Sequence, residues 1–215
     1  MKFLLLLFLM LPLVLHADGA RTVLVFGDSI TAGNELPADQ KDRLWTKRVE
    51  EESGGRLAVV NEGKGGRPTD SLAEFDAMLA RHARPDLLVL ALGMNDSRDI
   101  TDACVPKAVA NLRAMIGKAR AAWGTALPVL LVGPTNVNPT ALVATKPIAG
   151  PRQKKLREMN AAFGALAAET GCRFIGLFGA VPDASLLRDG VHPDGAGNEA
   201  LARVLLPAFL DAPPR

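Results

Sequence analysis

The sequence predicts an α/β protein: a three-layer α/β/α sandwich around a mostly parallel sheet of five strands. Two observations lead to this prediction. Short apolar runs alternate with longer segments of helical periodicity along the chain, and each run is hydrophobic on both faces, as is typical of parallel strands covered by helices. The alternating order of strand and helix implies right-handed crossovers, which place helices on both sides of the sheet.

Five runs are predicted as strands because they are short, apolar throughout and rich in β-branched residues or leucine. The carboxyl ends of parallel strands meet at one edge of a sheet, and open α/β sheets bind their ligands at that edge. In chain order the predicted strands are Thr22–Phe26, Leu57–Val60, Leu87–Leu92, Val129–Val132 and Cys172–Ile175.

Five helices are predicted between and after these strands, and most of them stop at a glycine, a common residue just past a helix end. Ser71 and Glu74 have the spacing of a capping box. A long irregular stretch, 133–151, follows the fourth strand, and such a loop is usually functional or disordered. The predicted helices are Leu44–Ser53, Ser71–Arg81, Val105–Trp123, Arg152–Thr170 and about Gly195–Leu210.

The first 17 residues differ from the rest and are predicted to be a secretory signal peptide. Lys2 is followed by thirteen residues, Phe3–Leu15, that are apolar apart from Pro12. This run is short for a membrane span but suits a signal-peptide core. Cleavage after Ala17 would leave a single domain, 18–215, secreted or periplasmic and without a stable membrane span. The alternative is an uncleaved anchor.

The composition narrows the range of partners. The net charge is +2, from 25 basic and 23 acidic residues, and no basic run stands out. A nucleic-acid partner is therefore not expected, while the oligomeric state is left open. Cys104 and Cys172 could form one disulfide in an oxidising compartment or remain two buried thiols. Neither they nor His82 and His192 have metal-ligand spacing, so no metal or cofactor is expected.

Polar residues follow four of the five strands, at the edge where ligands bind. The segments are Gly27-Asp28-Ser29, 61–69 ("NEGKGGRPT"), 92–97 ("LGMNDS") and 189–195 ("DGVHPDG"). They offer what acyl transfer needs: a hydroxyl nucleophile, an imidazole base, a carboxylate to orient the base, and donors for the oxyanion. Ser29, His192 and Asp189 would supply the first three of these.

These motifs resemble those of the SGNH (GDSL-type) hydrolases, from residue 22 to about residue 210. That family carries a GDS nucleophile, a glycine after the second strand, a GxND segment and a DxxH pair. The resemblance implies a flavodoxin-like α/β/α fold, ester hydrolysis without a metal, Ser29, Asp189 and His192 as the catalytic triad, and an oxyanion hole formed by Ser29, Gly66 and Asn95. Gly65 is a close second to Gly66.

Each of these residues also has a structural interpretation. Ser29 could cap a helix, Asn95 could form a turn, and His82 could be a solvated histidine at a helix end. Asp28 and Asp96 are expected to organise their loops. Arg67 is either a solvated charge or a substrate contact. Further candidates for substrate binding are Asp28, Met94, Asn136 and Asn138.

The sequence therefore predicts an exported serine esterase that acts on short acyl esters, such as acetyl esters, of a carbohydrate or a similar polar alcohol. Lys64, Arg67, Asn136 and Asn138 favour a polar alcohol. In the alternative, Leu142, Val143 and Ile148 line an acyl pocket, and the protein is a lysophospholipase or thioesterase. An arylesterase of the same family is a further alternative. A prediction of another class is a catalytically inactive carbohydrate-binding protein on the same fold.

Overall fold

The structure, a computed structural model, describes residues 19–141 and 148–211. In this part of the chain five parallel strands form one sheet in the order β2-β1-β3-β4-β5. The predicted architecture, an α/β protein with a five-stranded parallel sheet, is therefore confirmed. The strands are β1 (Arg21–Gly27), β2 (Leu57–Gly63), β3 (Leu87–Ala91), β4 (Val129–Val132) and β5 (Arg173–Ile175).

Six α-helices whose two ends both lie in the described residues connect and cover the strands. The five predicted helices are present with ends that differ by up to three residues. They are joined by one short helix, directly after β1, that the sequence analysis did not predict. The helices are α1 (Ser29–Ala32), α2 (Trp45–Glu52), α3 (Leu72–Arg81), α4 (Cys104–Trp123), α5 (Ala149–Thr170) and α6 (Gly195–Leu210).

The hydrophobic core consists of two halves, one on each face of the sheet. Leu24 and Phe26 of β1 face α3, α4 and α5, and the ring of Phe26 meets that of Phe75 edge to face at 5.1 Å. Val23 and Val25, which alternate with them, face α2 and α6. Because successive residues of a strand point to opposite faces, a strand buried on both sides must be apolar throughout.

The register of the sheet aligns the strand ends that carry the predicted site. Gly27, the last residue of β1, pairs with Gly63 of β2 and with Ala91 of β3. The loops after these three strands therefore start at the same level. This alignment brings Ser29, the second loop and the third loop to one edge of the sheet.

Two predictions about helix starts are wrong. Ser71 caps α3 without a side-chain hydrogen bond, and Glu74 instead forms ion pairs with Lys64 and Arg67 at 2.6 and 3.0 Å. No capping box forms, because these two cations hold the carboxylate. Helix α5 begins at Ala149 rather than Arg152, since Pro151 lies in its first turn, where a missing N–H costs nothing.

The two cysteines are free thiols, so the disulfide alternative is wrong. Cys104 is the first residue of α4. Cys172 contacts the guanidinium of Arg120 near the other end of that helix, with a distance of 3.6 Å between Nη2 and Sγ. Arg120 lies sixteen residues after Cys104, which corresponds to about 24 Å along a helix. A disulfide needs Cα atoms within roughly 7 Å of each other.

His82 follows α3 and is not the freely solvated histidine that was expected. Its Nε2 atom lies 2.6 Å from Oε1 of Glu62, which also pairs with Arg81. The predicted signal peptide, 1–17, lies outside the described residues. Within residues 19–141 and 148–211, no helix is both long and apolar enough to span a bilayer.

Candidate active site

Ser29 lies where β1 passes into α1. Its neighbour Asp28 is the N-cap residue of this helix, and the Asp28 carboxylate accepts a hydrogen bond of 3.0 Å from the N–H of Ile30. Ser29 is the first residue of the helix and is only 6% exposed. At this position its N–H has no carbonyl partner within the helix. The turn thus holds a hydroxyl and a free donor at the edge of the sheet.

Three side chains from distant parts of the sequence form a chain of hydrogen bonds at this edge. Nε2 of His192 lies 2.9 Å from Oγ of Ser29, and Nδ1 of His192 lies 2.5 Å from Oδ2 of Asp189. An ionised carboxylate only accepts hydrogen bonds, so Nδ1 of a neutral His192 carries the proton. Nε2 is then free to accept a hydrogen bond from the Ser29 hydroxyl.

Asp189 is fixed by its own loop. Its Oδ1 atom accepts hydrogen bonds from the N–H groups of Val191 and His192, at 2.8 and 3.0 Å. Burial alone would raise the pKa of this carboxyl, but the hydrogen bonds from the His192 ring and from the backbone outweigh it and lower the pKa. Asp189 therefore remains ionised beside the imidazole.

The loop that carries His192 is tied to the segment after β4. The N–H of Asn138 donates to the carbonyl of Gly190 at 2.7 Å, and the N–H of Leu187 donates to that of His192 at 2.7 Å. Gly190 has a φ of +69°, and a Cβ there would lie 2.8 Å from that of Ala141. Only glycine fits this turn without strain.

The loop after β2 places Gly66 and Asn95 side by side. The N–H of Lys64 donates to the carbonyl of Gly27 at 3.1 Å, and Nδ2 of Asn95 donates to the carbonyl of Arg67 at 3.1 Å. Gly66, with a φ of +75°, precedes Arg67 and has open space around its Cα. Among the described residues, no group accepts a hydrogen bond from the Gly66 N–H. The second proton of the Asn95 amide also remains available.

Asp96 organises its loop, as expected. Its carboxylate accepts hydrogen bonds from the N–H of Thr69, at 3.0 and 3.1 Å, and from the Thr69 hydroxyl at 2.5 Å. Burial raises the pKa of Asp96, against the effect of these hydrogen bonds. This contact joins the loop after β3 to the loop after β2. The two loops that carry Asn95 and Gly66 therefore form one connected unit.

Arg67 is not a solvated charge, because its side chain is buried and used within the fold. It is 7% exposed, and its guanidinium stacks over the Phe26 ring at 4.0 Å. Nη1 donates to the carbonyl of Gly27 at 2.7 Å and also to that of Glu62. Arg67 therefore ties the ends of β1 and β2 together below the site.

The other candidates for substrate binding are also used by the fold. Asn136 is 6% exposed: its amide donates to the carbonyl of Val181 at 2.9 Å and accepts from the N–H of Gly179 at 3.2 Å. Asn138 forms a turn by accepting from the N–H of Thr140 at 2.9 Å. Met94 and Asp28 are buried, at 2% and 3% exposed. Asn136, Met94 and Asp28 are therefore buried parts of the framework, and Asn138 stabilises its own turn.

The sequence analysis did not identify two residues that lie near the site. Glu35, after α1, places Oε2 3.8 Å from Nε2 of His192. Arg152, in α5, is 4% exposed and donates to Oγ of Ser97 and to the carbonyl of Met94, both at 2.9 Å. Neither residue belongs to a recognisable motif. Their contacts join residues that are distant in sequence, so only the folded chain shows them. Among the described residues, no group of three or more metal-ligating side chains could hold a metal ion.

A parallel three-layer sandwich with this serine, histidine and aspartate at the carboxyl edge of its sheet has the architecture of the SGNH-type esterases. A family model for the GDSL-like lipase/acylhydrolase family matches residues 25–200. The chain belongs to this family and is a carboxylic ester hydrolase.

Similar proteins agree with this assignment. Esterase TesA from Pseudomonas aeruginosa is 33% identical over 208 residues, which cover 94% of each chain. A carbohydrate acetylesterase family member from Sinorhizobium meliloti is 26% identical, with a TM-score of 0.74 over 88% of this chain and 97% of the other. An aryl esterase from M. smegmatis, which is 22% identical, shares the fold, with a TM-score of 0.70 over 90% of this chain and 100% of the other.

Proposed function

We propose that this protein is a serine esterase in which Ser29 is the nucleophile, His192 the general base and acid, and Asp189 the residue that orients the imidazole. The observation that carries the proposal is the pair of hydrogen bonds linking Ser29 Oγ, His192 and Asp189, at 2.9 and 2.5 Å. A serine hydroxyl is a weak nucleophile unless an adjacent base removes its proton. Here Nε2 of His192 is within reach of that proton.

In the proposed reaction, Ser29 Oγ attacks the ester carbonyl while Nε2 of His192 takes the hydroxyl proton. The resulting oxyanion receives hydrogen bonds from the N–H groups of Ser29 and Gly66 and from the Asn95 amide. The tetrahedral intermediate collapses, and the imidazolium gives its proton to the leaving alcohol. A water molecule then repeats the sequence on the acyl-enzyme and releases the acid. Each oxyanion donor contributes about 10²–10³-fold to turnover.

The Ser29→Ala variant tests this proposal. Its hydrolysis of p-nitrophenyl acetate should be slower by about 10⁴-fold or more, because the nucleophile is missing. His82→Ala is the matched control, since His82 pairs with Glu62 and has no part in the proposed reaction. Equal background rates in the wild type and in Ser29→Ala would contradict the proposal. They would instead favour an inactive carbohydrate-binding protein, to be tested with a panel of sugars.

We further propose that the acyl group is short, such as acetyl, and that the alcohol is a carbohydrate or a similar polar compound. The similarity to a carbohydrate acetylesterase family member supports this choice. Among the described residues, the only exposed large hydrophobic side chains are Ile100 and Val204. A long acyl chain would need a larger apolar surface to dock on. Arg67 and Asn136 do not support a polar alcohol, because both side chains are buried and hydrogen-bonded to backbone carbonyls.

Comparison of the acetyl and octanoyl p-nitrophenyl esters separates this proposal from its alternatives. A steep loss of kcat/KM at eight carbons would support the short acyl group. Equal or faster hydrolysis of the octanoyl ester would favour the lysophospholipase or thioesterase alternative. Of the residues that would line an acyl pocket in that case, Ile148 is described, whereas Leu142 and Val143 lie outside the described residues.

We also propose that the protein is exported and that its signal peptide is cleaved after Ala17. The proposal rests on the sequence of residues 1–17, a basic residue followed by a short apolar segment. Mass spectrometry of the protein from the envelope and medium fractions tests it. A mature chain that begins at Asp18 is the expected result, and an intact N-terminus in the membrane fraction would indicate the anchor instead.

A further inference from the structure

A second carboxylate lies near the imidazole of the site. Oε2 of Glu35 is 3.8 Å from Nε2 of His192, the same nitrogen that lies 2.9 Å from Oγ of Ser29. Asp189 occupies the opposite side of the ring, at Nδ1. The proposed reaction uses Ser29 and Asp189 but gives Glu35 no part. The Glu35 carboxylate nevertheless lies beside any substrate group that approaches Nε2 of His192.

The chain on both sides of Glu35 is held in place. Gly33 ends α1 with a φ of +68°, and Leu36, only 4% exposed, anchors the segment in the core beside α2. Nζ of Lys41 donates to the carbonyls of Gly33 and Asn34, at 2.5 and 2.9 Å. Glu35 therefore extends from a fixed segment, and its carboxylate is presented to the opening above Ser29.

The Glu35 carboxylate is not neutralised by a lysine or arginine of the described residues. Its side chain is 38% exposed, and in the described part of the chain no lysine or arginine forms an ion pair with it. The nearby Lys41 ammonium is occupied by backbone carbonyls. Two lone pairs on each carboxylate oxygen thus remain available to a substrate that donates hydrogen bonds.

The proposed chemistry determines which part of a substrate reaches this carboxylate. The leaving oxygen must approach Nε2 to within hydrogen-bonding distance, about 3 Å, in order to receive its proton. A carboxylate 3.8 Å from the same nitrogen therefore lies beside the alcohol half of the ester. A hydroxyl group on the carbon next to the one that carries the ester oxygen would lie within reach of it.

We propose that Glu35 determines specificity for the alcohol: its carboxylate accepts a hydrogen bond from a hydroxyl group on the carbon next to the one that carries the ester oxygen. Esters of polyols, including sugars, are then preferred over esters of simple alcohols. The inference rests on the proposed function. A quaternary ammonium is a less suitable occupant, because such cations are usually bound by aromatic rings. None of the residues described around the opening is a phenylalanine, tyrosine or tryptophan.

The test compares two acetate esters with the same carbon skeleton: glycerol 1-acetate, which has the adjacent hydroxyl, and propyl acetate, which lacks it. Acetate release gives kcat/KM for the wild type, Glu35→Ala and Glu35→Gln. The loss caused by Glu35→Ala should be about tenfold larger with glycerol 1-acetate than with propyl acetate, as expected for one hydrogen bond to a charged group. Glu35→Gln, which keeps a neutral acceptor, should lose less.

Asp39→Ala is the matched control, because it removes another exposed carboxylate from the same segment. It should leave the ratio of the two kcat/KM values unchanged. Equal losses with both esters in Glu35→Ala would mean that Glu35 acts on His192 rather than on the alcohol, and would overturn the inference. A larger loss with acetylcholine than with glycerol 1-acetate would also overturn it. If the wild type hydrolyses neither acetate ester nor p-nitrophenyl acetate, the proposed function itself fails.

Discussion

Ser29 and Asp28 are neighbours with different tasks at the end of β1. Capping of α1, one of the interpretations open for Ser29, is carried out by Asp28, whose carboxylate accepts from the N–H of Ile30. The Ser29 hydroxyl is therefore free to meet Nε2 of His192 at 2.9 Å. A buried acid next to the proposed nucleophile has a cost, because burial disfavours its charged form.

The titration of Asp28 should make stability depend on pH. Burial raises its pKa from 3.8 to about 7, although the Ile30 N–H and His192 act in the opposite direction. Because the folded pKa is the higher one, Asp28 stabilises the fold fully only below pH 3.8, and this contribution is lost as pH rises through 7. Asp28→Asn stays neutral and keeps an acceptor for Ile30.

Relative to the wild type, the free energy of unfolding of Asp28→Asn should therefore increase by about 2–3 kcal/mol between pH 5 and pH 8. Urea denaturation of both proteins at the two pH values measures this difference. Asp39→Asn, which removes an exposed carboxylate, is the control and should show no such change. A difference between Asp28→Asn and the wild type that is the same at both pH values would mean that Asp28 is ionised in the fold throughout.

At the scale of elements, the end of β2 packs directly against α1. A Cβ added to Gly63 would lie 2.3 Å from the backbone N of Ala32 and 2.6 Å from the carbonyl carbon of Thr31. Real Cβ atoms do not approach backbone so closely, and backbone cannot move aside as a side chain can. The absence of a side chain at Gly63 is therefore part of what positions the helix that begins with Ser29.

Gly63→Ala should destabilise the protein by about 3 kcal/mol, a typical cost of overpacking at a site that cannot relax. Gly65→Ala is the matched control, because a Cβ at Gly65 meets nothing within 4 Å. It should change stability by less than about 0.5 kcal/mol. Thermal and urea unfolding of both variants provide the measurement. Similar stabilities for the two variants would show that α1 can move away from β2.

At the scale of the whole molecule, the two thiols are separated along the length of α4, so no disulfide links them and a reducing agent should not change the stability of the folded protein. Burial raises the pKa of Cys104 to about 11, and a thiol that is not deprotonated reacts slowly. In a Cys172→Ser variant, Cys104 should react with a thiol reagent at pH 8 only after unfolding. The intact mass of the wild type should correspond to two free thiols. A mass lower by about 2 Da, as expected when a disulfide forms with loss of two hydrogen atoms, would contradict the separation of the two cysteines.

The sheet and its helices could be predicted from local patterns, because a strand buried on both faces must be apolar and a helix commonly ends at glycine. The element ends depend on tertiary pairing: β2 extends to Gly63, three residues past its apolar run, because it pairs with β1 along its full length. The proposed triad could be named because its residues stand in motifs of fixed order. The residues that support it, such as Arg152, have no such local signal.

The sequence by itself determined the class of this protein: a parallel α/β sandwich with the order of motifs typical of the SGNH-type esterases. These features are encoded by residues close together in the chain, through hydrophobic periodicity and motif spacing. Only the tertiary structure decided the use of each polar side chain. It buried Arg67 and Asn136 in the framework, separated the two cysteines and brought Glu35 to His192. Such contacts join residues distant in sequence, and they exist only once the sheet has aligned its strand ends.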